Sequence, residues 1–317
     1  MEKVLIFGAS GQIGRHLVRK LTKNNYTVTA VTRNSHQKAY KLKTQANAGY
    51  LDIVQASIFD EDKIRSLINK TDICINLIGI LYEKNKSNNF ENIHCKFPYL
   101  ISKLSSEYNV KQFIHLSSLG IENAKDSVYA NSKLKGEKNI KKNFPKAVIF
   151  RPSVVYSVDD NFTTNFMNLL SLLPLFPLYY KGNTKFSPIH CSDLTDIIYN
   201  VIFQNTNSLT LECIGPETIS LKEILQRLLK LIEKKRLLIP IPLLLAKLSA
   251  IFFQLFPKPL ITLDQVRLLK YDNISSGKYK TNLDLGLKNL KKFNEEVEKY
   301  CYMWKNEGQF SVKNNLK

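Results

Sequence analysis

A short apolar run, Val4-Leu5-Ile6-Phe7, breaks directly into Gly8-Ala9-Ser10-Gly11-Gln12-Ile13-Gly14, after which Ile13, Leu17, Val18 and Leu21 recur at helical spacing. This unit of buried strand, glycine turn and helix constrains the fold more than any other part of the chain. The three glycines serve different ends. One makes the tight turn, one lets the backbone approach a pyrophosphate, and one allows close packing of helix on strand. The helix N-terminus adds free N–H groups and the positive end of its dipole. Gly8, Ser10, Gly11, Gln12, Ile13 and Gly14 are therefore candidate cofactor-binding residues. The plainer alternative is a strand–helix turn with no ligand.

Further strand-like runs follow at Tyr26 to Thr32, Leu51 to Val54, Ile73 to Leu77, Gln112 to Leu116 and Ala147 to Phe150. Helical patterns lie between several of them, at Asp62 to Asn69, Phe97 to Tyr108 and Ala130 to Lys141. Continuous apolar strands alternating with helices predict a parallel sheet covered on both faces. After about residue 156 prolines cluster and the rhythm changes, with a helical pattern at Leu221 to Ile232 and a last helix running to Trp304. The expected fold is α/β, a Rossmann-type doubly wound parallel sheet with a smaller, mainly helical C-terminal lobe. The division is placed at residues 1–156 and 157–317, with the lobe partly interleaved with the sheet domain.

The end of the second strand normally decides which dinucleotide is held, since an acid there binds the ribose 2′-hydroxyl of NAD. No Asp or Glu occurs between Lys3 and Leu51, and the strand ends in Val31-Thr32-Arg33. Arg33, helped by Arg15 on the first helix, is placed to pair with a 2′-phosphate instead. NADP(H) is expected over NAD(H); the alternative is that both arginines are solvated surface charge. Leu77, Ile78 and Gly79, ending the fourth strand, are candidates for the adenosine side of the cofactor, although Gly79 is equally explained as a plain turn.

Tyr129 and Lys133 are four residues apart on a predicted helix and so share one face. An ammonium beside a phenol favours the phenolate, and such a tyrosine can act as a general acid or base. Ser117-Ser118 ends the strand before it. With GASGQIG, HLSS, YANSK and Arg151-Pro152-Ser153-Val154-Val155-Tyr156 in this order, the chain resembles the extended or atypical branch of the short-chain dehydrogenase/reductase superfamily. That resemblance implies a catalytic-type Tyr129, a Lys133 that also holds the nicotinamide ribose, and a Ser118 that donates to a substrate oxygen. It makes Arg151 and Pro152 the start of the segment passing the nicotinamide end, and Ser57 and Ile58 adenine-side positions. Ser57 stands where the superfamily commonly has an Asp, His94 replaces a helix asparagine, Phe97 a glycine, and Ser157 the glycine after RPSVVY. The missing asparagine puts an active proton relay in question.

A narrower resemblance runs over roughly residues 3 to 300, through NLIGILYE at Asn76 to Glu83, RPSVVY, Asp159-Asp160-Asn161-Phe162, Gly215-Pro216-Glu217 and the Leu263 to Asn273 segment. It is similar to the dehydrogenase-like accessory subunit nine of the alpha subcomplex of respiratory complex I and its bacterial relatives. This implies a tightly held, structural NADPH, complex I subunits near the junction of the peripheral and membrane arms as partners, and an acidic lipid surface nearby. With the scattered, unpaired cysteines reading as reduced thiols of a cytosolic-type compartment, the expected location is cytoplasmic, peripheral on the cytoplasmic face of the inner membrane, or on the matrix side in a mitochondrion. A free NADP-dependent reductase, epimerase or dehydratase acting through Ser118, Tyr129 and Lys133 is the other reading.

The surplus of 46 Lys and Arg over 27 Asp and Glu, a formal charge of +19, favours anionic partners. No helix-turn-helix, RNP-like or zinc pattern accompanies it, so no nucleic acid is expected. The five scattered cysteines lack a C-x-x-C and read as reduced thiols, and no His or Cys spacing fits a metal. The four apolar residues before Gly8 are too few for a signal-peptide core. His115 reads as a satisfied core histidine, His190 as lying near a substrate cleft by the resemblance, and Asp193 as a helix cap. Leu237 to Phe256 is apolar, interrupted by Pro240, Pro242 and Lys247, and flanked by Lys234-Lys235-Arg236 and Lys258. It is either a surface-seeking amphipathic or docking helix, or a core helix of the lobe.

Overall fold

Strand β1 (Lys3–Phe7) buries Val4, Leu5, Ile6 and Phe7, as its unbroken apolar run requires of a sheet covered on both sides. In the computed structural model β1 leads through the glycine turn into α1 (Gln12–Lys23), which buries Leu17, Val18 and Leu21. The structure describes residues 1–254, 256, 259–306 and 308, with the backbone alone for 35–38. Leu255, Pro257, Lys258 and Glu307, and the chain from residue 309, lie outside the described residues.

The strands β2 (Thr27–Thr32), β3 (Leu51–Gln55), β4 (Ile73–Asn76), β5 (Gln112–Leu116), β6 (Val148–Pro152), β7 (Leu209–Cys213) and β8 (Lys280–Thr281) complete one eight-stranded sheet. Its order is β8-β7-β6-β5-β4-β1-β2-β3, and every pair is parallel. The helices α2 (Ser35–Lys43), α3 (Glu61–Ile68), α4 (Phe97–Glu107), α5 (Val128–Asn143) and α6 (Cys191–Phe203) connect the strands. Cores such as Leu5, Phe7, Ile64, Ile101, Phe113 and Ile140 fill the space between sheet and helices. The doubly wound parallel fold expected from the sequence is present. Asp193 lies inside the first turn of α6 rather than capping it.

The chain divides into two compact units. The first comprises residues 1–152, 191–213 and 275–287 and carries the sheet. The second comprises 153–190, 214–274 and 288–317. It is built on the helices Thr163–Leu172 and Leu221–Leu231, which share a core with Tyr156, Phe176 and Phe293. Three two-stranded sheets supplement them. One pairs Leu175–Leu178 with Leu237–Pro240, so the apolar segment begins as a strand and only then becomes the helix Leu243–Phe253. The last helical stretch is two pieces, Phe293–Glu298 and the short turn Cys301–Trp304, rather than one helix.

Candidate functional site

The strand order reverses between β1 and β4, the place where open parallel sheets bind ligands at the strands' carboxyl ends. A cavity of about 370 Å³ opens there, within the usual range for small-molecule sites. It is lined by the residues that follow four strands: Gly8, Ser10 and Gly11 after β1, Arg33 after β2, Ser57, Ile58 and Phe59 after β3, and Leu77, Ile78 and Gly79 after β4. Ile80, Ser87, Asn88 and Ile93, from the stretch after β4, also stand in the wall. Among the described residues, Arg33 is the one charged residue in this lining.

The glycine turn fits a dinucleotide on steric grounds. Gly8 has φ +84°, and a Cβ there would lie 3.1 Å from the Leu77 carbonyl carbon and 3.2 Å from the Ile78 nitrogen. A Cβ at Gly14 would meet the Gly8 and Ala9 carbonyl oxygens at 2.5 Å, so α1 packs too close to the turn for any side chain. No side chain caps α1 and no acid sits in its first turn, which keeps the helix N-terminus suited to an anion. Gln12 and Ile13 lie on that first turn, off the cavity lining. The Arg33 Nη1 donates to Asn88 Oδ1 at 3.3 Å. Arg15 Nη1 donates instead to the Ser10 carbonyl at 2.8 Å, bracing the glycine turn from outside the lining. Ser57 Oγ accepts the Phe59 N–H at 3.2 Å, which shapes the adenosine-side turn.

Ser127 Oγ caps α5 by accepting the Ala130 N–H at 3.1 Å, and the helix then carries both Tyr129 and Lys133 into the interior, where they are 8% and 4% exposed. Lys133 Nζ donates to the Leu116 carbonyl at 3.2 Å and lies against Gly79, where a Cβ would stand 3.2 Å from it. Lys133 thus reaches the wall of the cavity from behind. Burial pushes its amine down to about 8, with Glu137 pulling the other way. Ser118 follows β5 and is half-buried.

His94 occupies a π-helical turn, Glu91–Lys96, ahead of α4. Such turns mark functional positions in many folds. Ser132 Oγ donates to the Tyr129 carbonyl at 2.7 Å, so it accepts from His94 Nδ1 at 2.8 Å. The proton therefore sits on Nδ1, and Nε2 accepts the Ile80 N–H at 3.1 Å. Burial, with Lys133 and His115 nearby, drives His94 down to about 2 and keeps it neutral. Its ring stacks on Phe90 at 5.3 Å and meets Tyr129 edge-on at 5.4 Å. His115 is a core residue as expected, yet satisfied on one side only. Asn76 Oδ1 accepts the Ile78 N–H, so its Nδ2 donates to His115 Nδ1 at 3.1 Å, while His115 Nε2 has no hydrogen-bond partner.

Arg151 and Pro152 do not line the cavity. Arg151, 4% exposed, makes a two-pronged bond to Glu137 (Nε to Oε1 3.0 Å, Nη2 to Oε2 2.7 Å) and a third contact to Glu122 at 2.9 Å. The Tyr279 ring lies 4.6 Å from its guanidinium carbon. Against the burial that opposes charge, the two carboxylates hold Arg151 more firmly protonated than usual. The Pro152 carbonyl accepts the Leu119 N–H at 2.9 Å. In the second unit His190 lies 4.0 Å from Glu296 and edge-on to Tyr156.

A sequence model of the NAD dependent epimerase/dehydratase family matches residues 4–208, which carry the glycine turn, Tyr129 and Lys133. The chain belongs to this family. Among relatives of this epimerase/dehydratase chain, the mitochondrial NADH-ubiquinone oxidoreductase 40 kDa subunit of Neurospora crassa is 25% identical over 89% of this chain and 74% of its own length. The mitochondrial NADH dehydrogenase [ubiquinone] 1 alpha subcomplex subunit 9 of Mus musculus is 28% identical over 89% and 75%. The same fold occurs in the UDP-glucuronic acid 4-epimerase of Bacillus cereus, solved with UDP-glucuronic acid and NAD (TM-score 0.64, 20% identity, 94% of this chain and 98% of that one).

Sequence reasoning missed Asn88, Ser87, Phe59 and Ile80 as wall residues. Their one signal is the polar run Asn85-Lys86-Ser87-Asn88-Asn89 just after Gly79, which reads as any exposed loop until the sheet brings it opposite Arg33. Among the described residues no His, Cys, Asp and Glu cluster could hold a metal.

Proposed function

We propose that this chain is an NADP(H)-holding member of the epimerase/dehydratase family that associates with respiratory complex I as an accessory or assembly subunit, its nucleotide serving a structural purpose. The observation that carries the nucleotide reading is the charge of the cavity wall: Arg33 at the end of β2, with no acid among the described residues of the lining. A guanidinium there favours a ribose 2′-phosphate, as an acid would favour the free 2′-hydroxyl. Gly8, Ser10, Gly11 and the first turn of α1 would hold the pyrophosphate. Ser57, Ile58, Leu77, Ile78 and Gly79 would enclose the adenosine, and Lys133 would approach the nicotinamide ribose beside Tyr129. The bound group would supply a hydride donor or acceptor.

The relatives' subunit names over 89% of this chain support the association with complex I. A place at the junction of its two arms, peripheral on the cytoplasmic face of the inner membrane or the matrix side in a mitochondrion, follows from that reading. Calorimetry tests the nucleotide. NADPH should bind about ten- to a hundredfold more tightly than NADH, the worth of a hydrogen bond to a charged group. Equal affinities, or a preference for NADH, overturn it. Purification from native membranes with mass spectrometry of partners and released nucleotide tests the assembly role.

Tyr129 and the lowered amine of Lys133 on one helix favour a second reading, a reductase, epimerase or dehydratase acting on a carbonyl or hydroxyl. Ser118 would then donate to the substrate oxygen. Tyr129→Phe separates the two. A structural role leaves complex I assembly intact in that variant, whereas an enzymatic role abolishes the phenotype with folding unharmed.

A further inference from the structure

The helix Leu243–Phe253 is packed the opposite way from a core helix. It buries its small residues, Ala246 and Ala250, against Tyr179 and Val266, and leaves its large ones outside. Leu244 is 70% exposed, Phe252 57%, and Leu245, Leu248 and Ile251 just over half. At 3.6 residues per turn, Ile251, Leu244, Leu248, Phe252 and Leu245 follow one another around a continuous arc of about 120°. Lys247 is exposed at the edge of that arc. The strand leading into the helix continues the pattern. Leu237 pairs with Leu175 and Ile239 with Pro177, and Leu237, Leu175 and Ile239 are all exposed.

An uncovered apolar surface of this extent marks an interaction site. The charges around it identify the occupant. From Lys234 to Leu263 the chain carries no acid, while exposed Lys235 and Lys247 and half-buried Lys234 supply cations; Arg236 is held by the Leu170 and Ser171 carbonyls. The two acids that bound this stretch are already paired, Glu233 with Lys305 and Asp264 with Arg267. A wide apolar arc with a lysine at its edge is the arrangement of a helix lying in a membrane interface, its apolar side sunk among acyl chains and its lysine reaching back to the headgroups. The helix cannot cross: no helix among the described residues is long and apolar enough to span a bilayer.

We infer that Leu243–Phe253 and the strand before it are a docking surface for an anionic lipid bilayer, on which the second unit lies without spanning it. The inference does not depend on the nucleotide reading.

The test is flotation of the full-length protein with phosphatidylcholine vesicles, with and without phosphatidylglycerol, while NADPH affinity and circular dichroism monitor folding separately. The wild type should float with the anionic vesicles and much less with the neutral ones, and salt should weaken the attachment. Leu248→Glu with Phe252→Glu should abolish flotation with the circular dichroism unchanged. Lys234→Glu with Lys235→Glu should weaken partition to anionic vesicles by more than about fivefold, the effect of losing a single lysine near such a surface. Three outcomes overturn the inference: a wild type that stays in solution with both vesicles, equal flotation with both, or flotation that survives the Leu248 and Phe252 changes. Dissociation of a soluble dimer by those same changes, without vesicle binding, would assign the face to a second copy. Failure of NADPH binding with flotation intact would overturn only the nucleotide reading.

Discussion

Arg33 Nη1 meets Asn88 Oδ1 at 3.3 Å at the wall of the cavity, joining the end of β2 to the loop after β4. The amide holds the guanidinium without neutralising it, so its charge remains available to an anion. Arg33→Ala should lower NADPH affinity about ten- to a hundredfold and leave NADH affinity nearly unchanged. Asn88→Asp should also weaken NADPH selectively, because a carboxylate would pair with Arg33 and repel a phosphate. Calorimetric titration with both nucleotides measures each effect.

The close approach of α1 to the glycine turn gives a steric prediction. In Gly14→Ala the new methyl would sit 2.5 Å from two carbonyl oxygens, and backbone must move to relieve it. Overpacking of this kind destabilises by roughly 1–3 kcal/mol. The variant should melt at lower temperature and lose nucleotide affinity together, whereas Gly49→Ala, with nothing near its Cβ, should keep nucleotide affinity.

Arg151 and Glu137 form a buried ion pair, joined by half-buried Glu122, away from the cavity lining. Glu137→Gln leaves a buried guanidinium short of one charge partner, a change that typically costs about 3–5 kcal/mol. Urea unfolding should show that loss. NADPH affinity, measured on the folded fraction, should change little, which separates a structural Arg151 from a nucleotide-binding one.

The buried histidines predict sensitivity to acid. His94 is held neutral down to about 2, and His115 is pushed well below its ordinary 6.5 by burial and by Lys133. The unfolded chain binds protons at these sites from about pH 6.5 downward while the folded chain does not, so stability is full above that value and falls as the pH drops through it. Each histidine contributes up to about 1.4 kcal/mol per pH unit. Urea midpoints taken at neutral pH and about one unit below 6.5 should differ in the wild type. The difference should shrink in His94→Asn, whose amide cannot titrate.

Local pattern was enough for the strand–turn–helix unit, the alternation that makes the parallel sheet, and the Tyr129–Lys133 pair, because neighbours within a few residues dictate these features. The glycines of the turn are legible because no other residue satisfies the same sterics. Contacts between distant segments decided the rest. Asn88 sits in an ordinary polar loop, and only the order of β1, β2 and β4 brings it to Arg33. Arg151 stands near the carboxyl end of β6, the end at which the cavity opens on other strands, yet Glu137 on α5 and Glu122 draw it into the interior, where a buried cation needs carboxylates. Leu243–Phe253 is apolar nearly all round, so its composition could not choose between core and surface. Packing chose, because Ala246 and Ala250 are small enough to approach Tyr179 and Val266 closely, and that approach turns the leucines and phenylalanines outward.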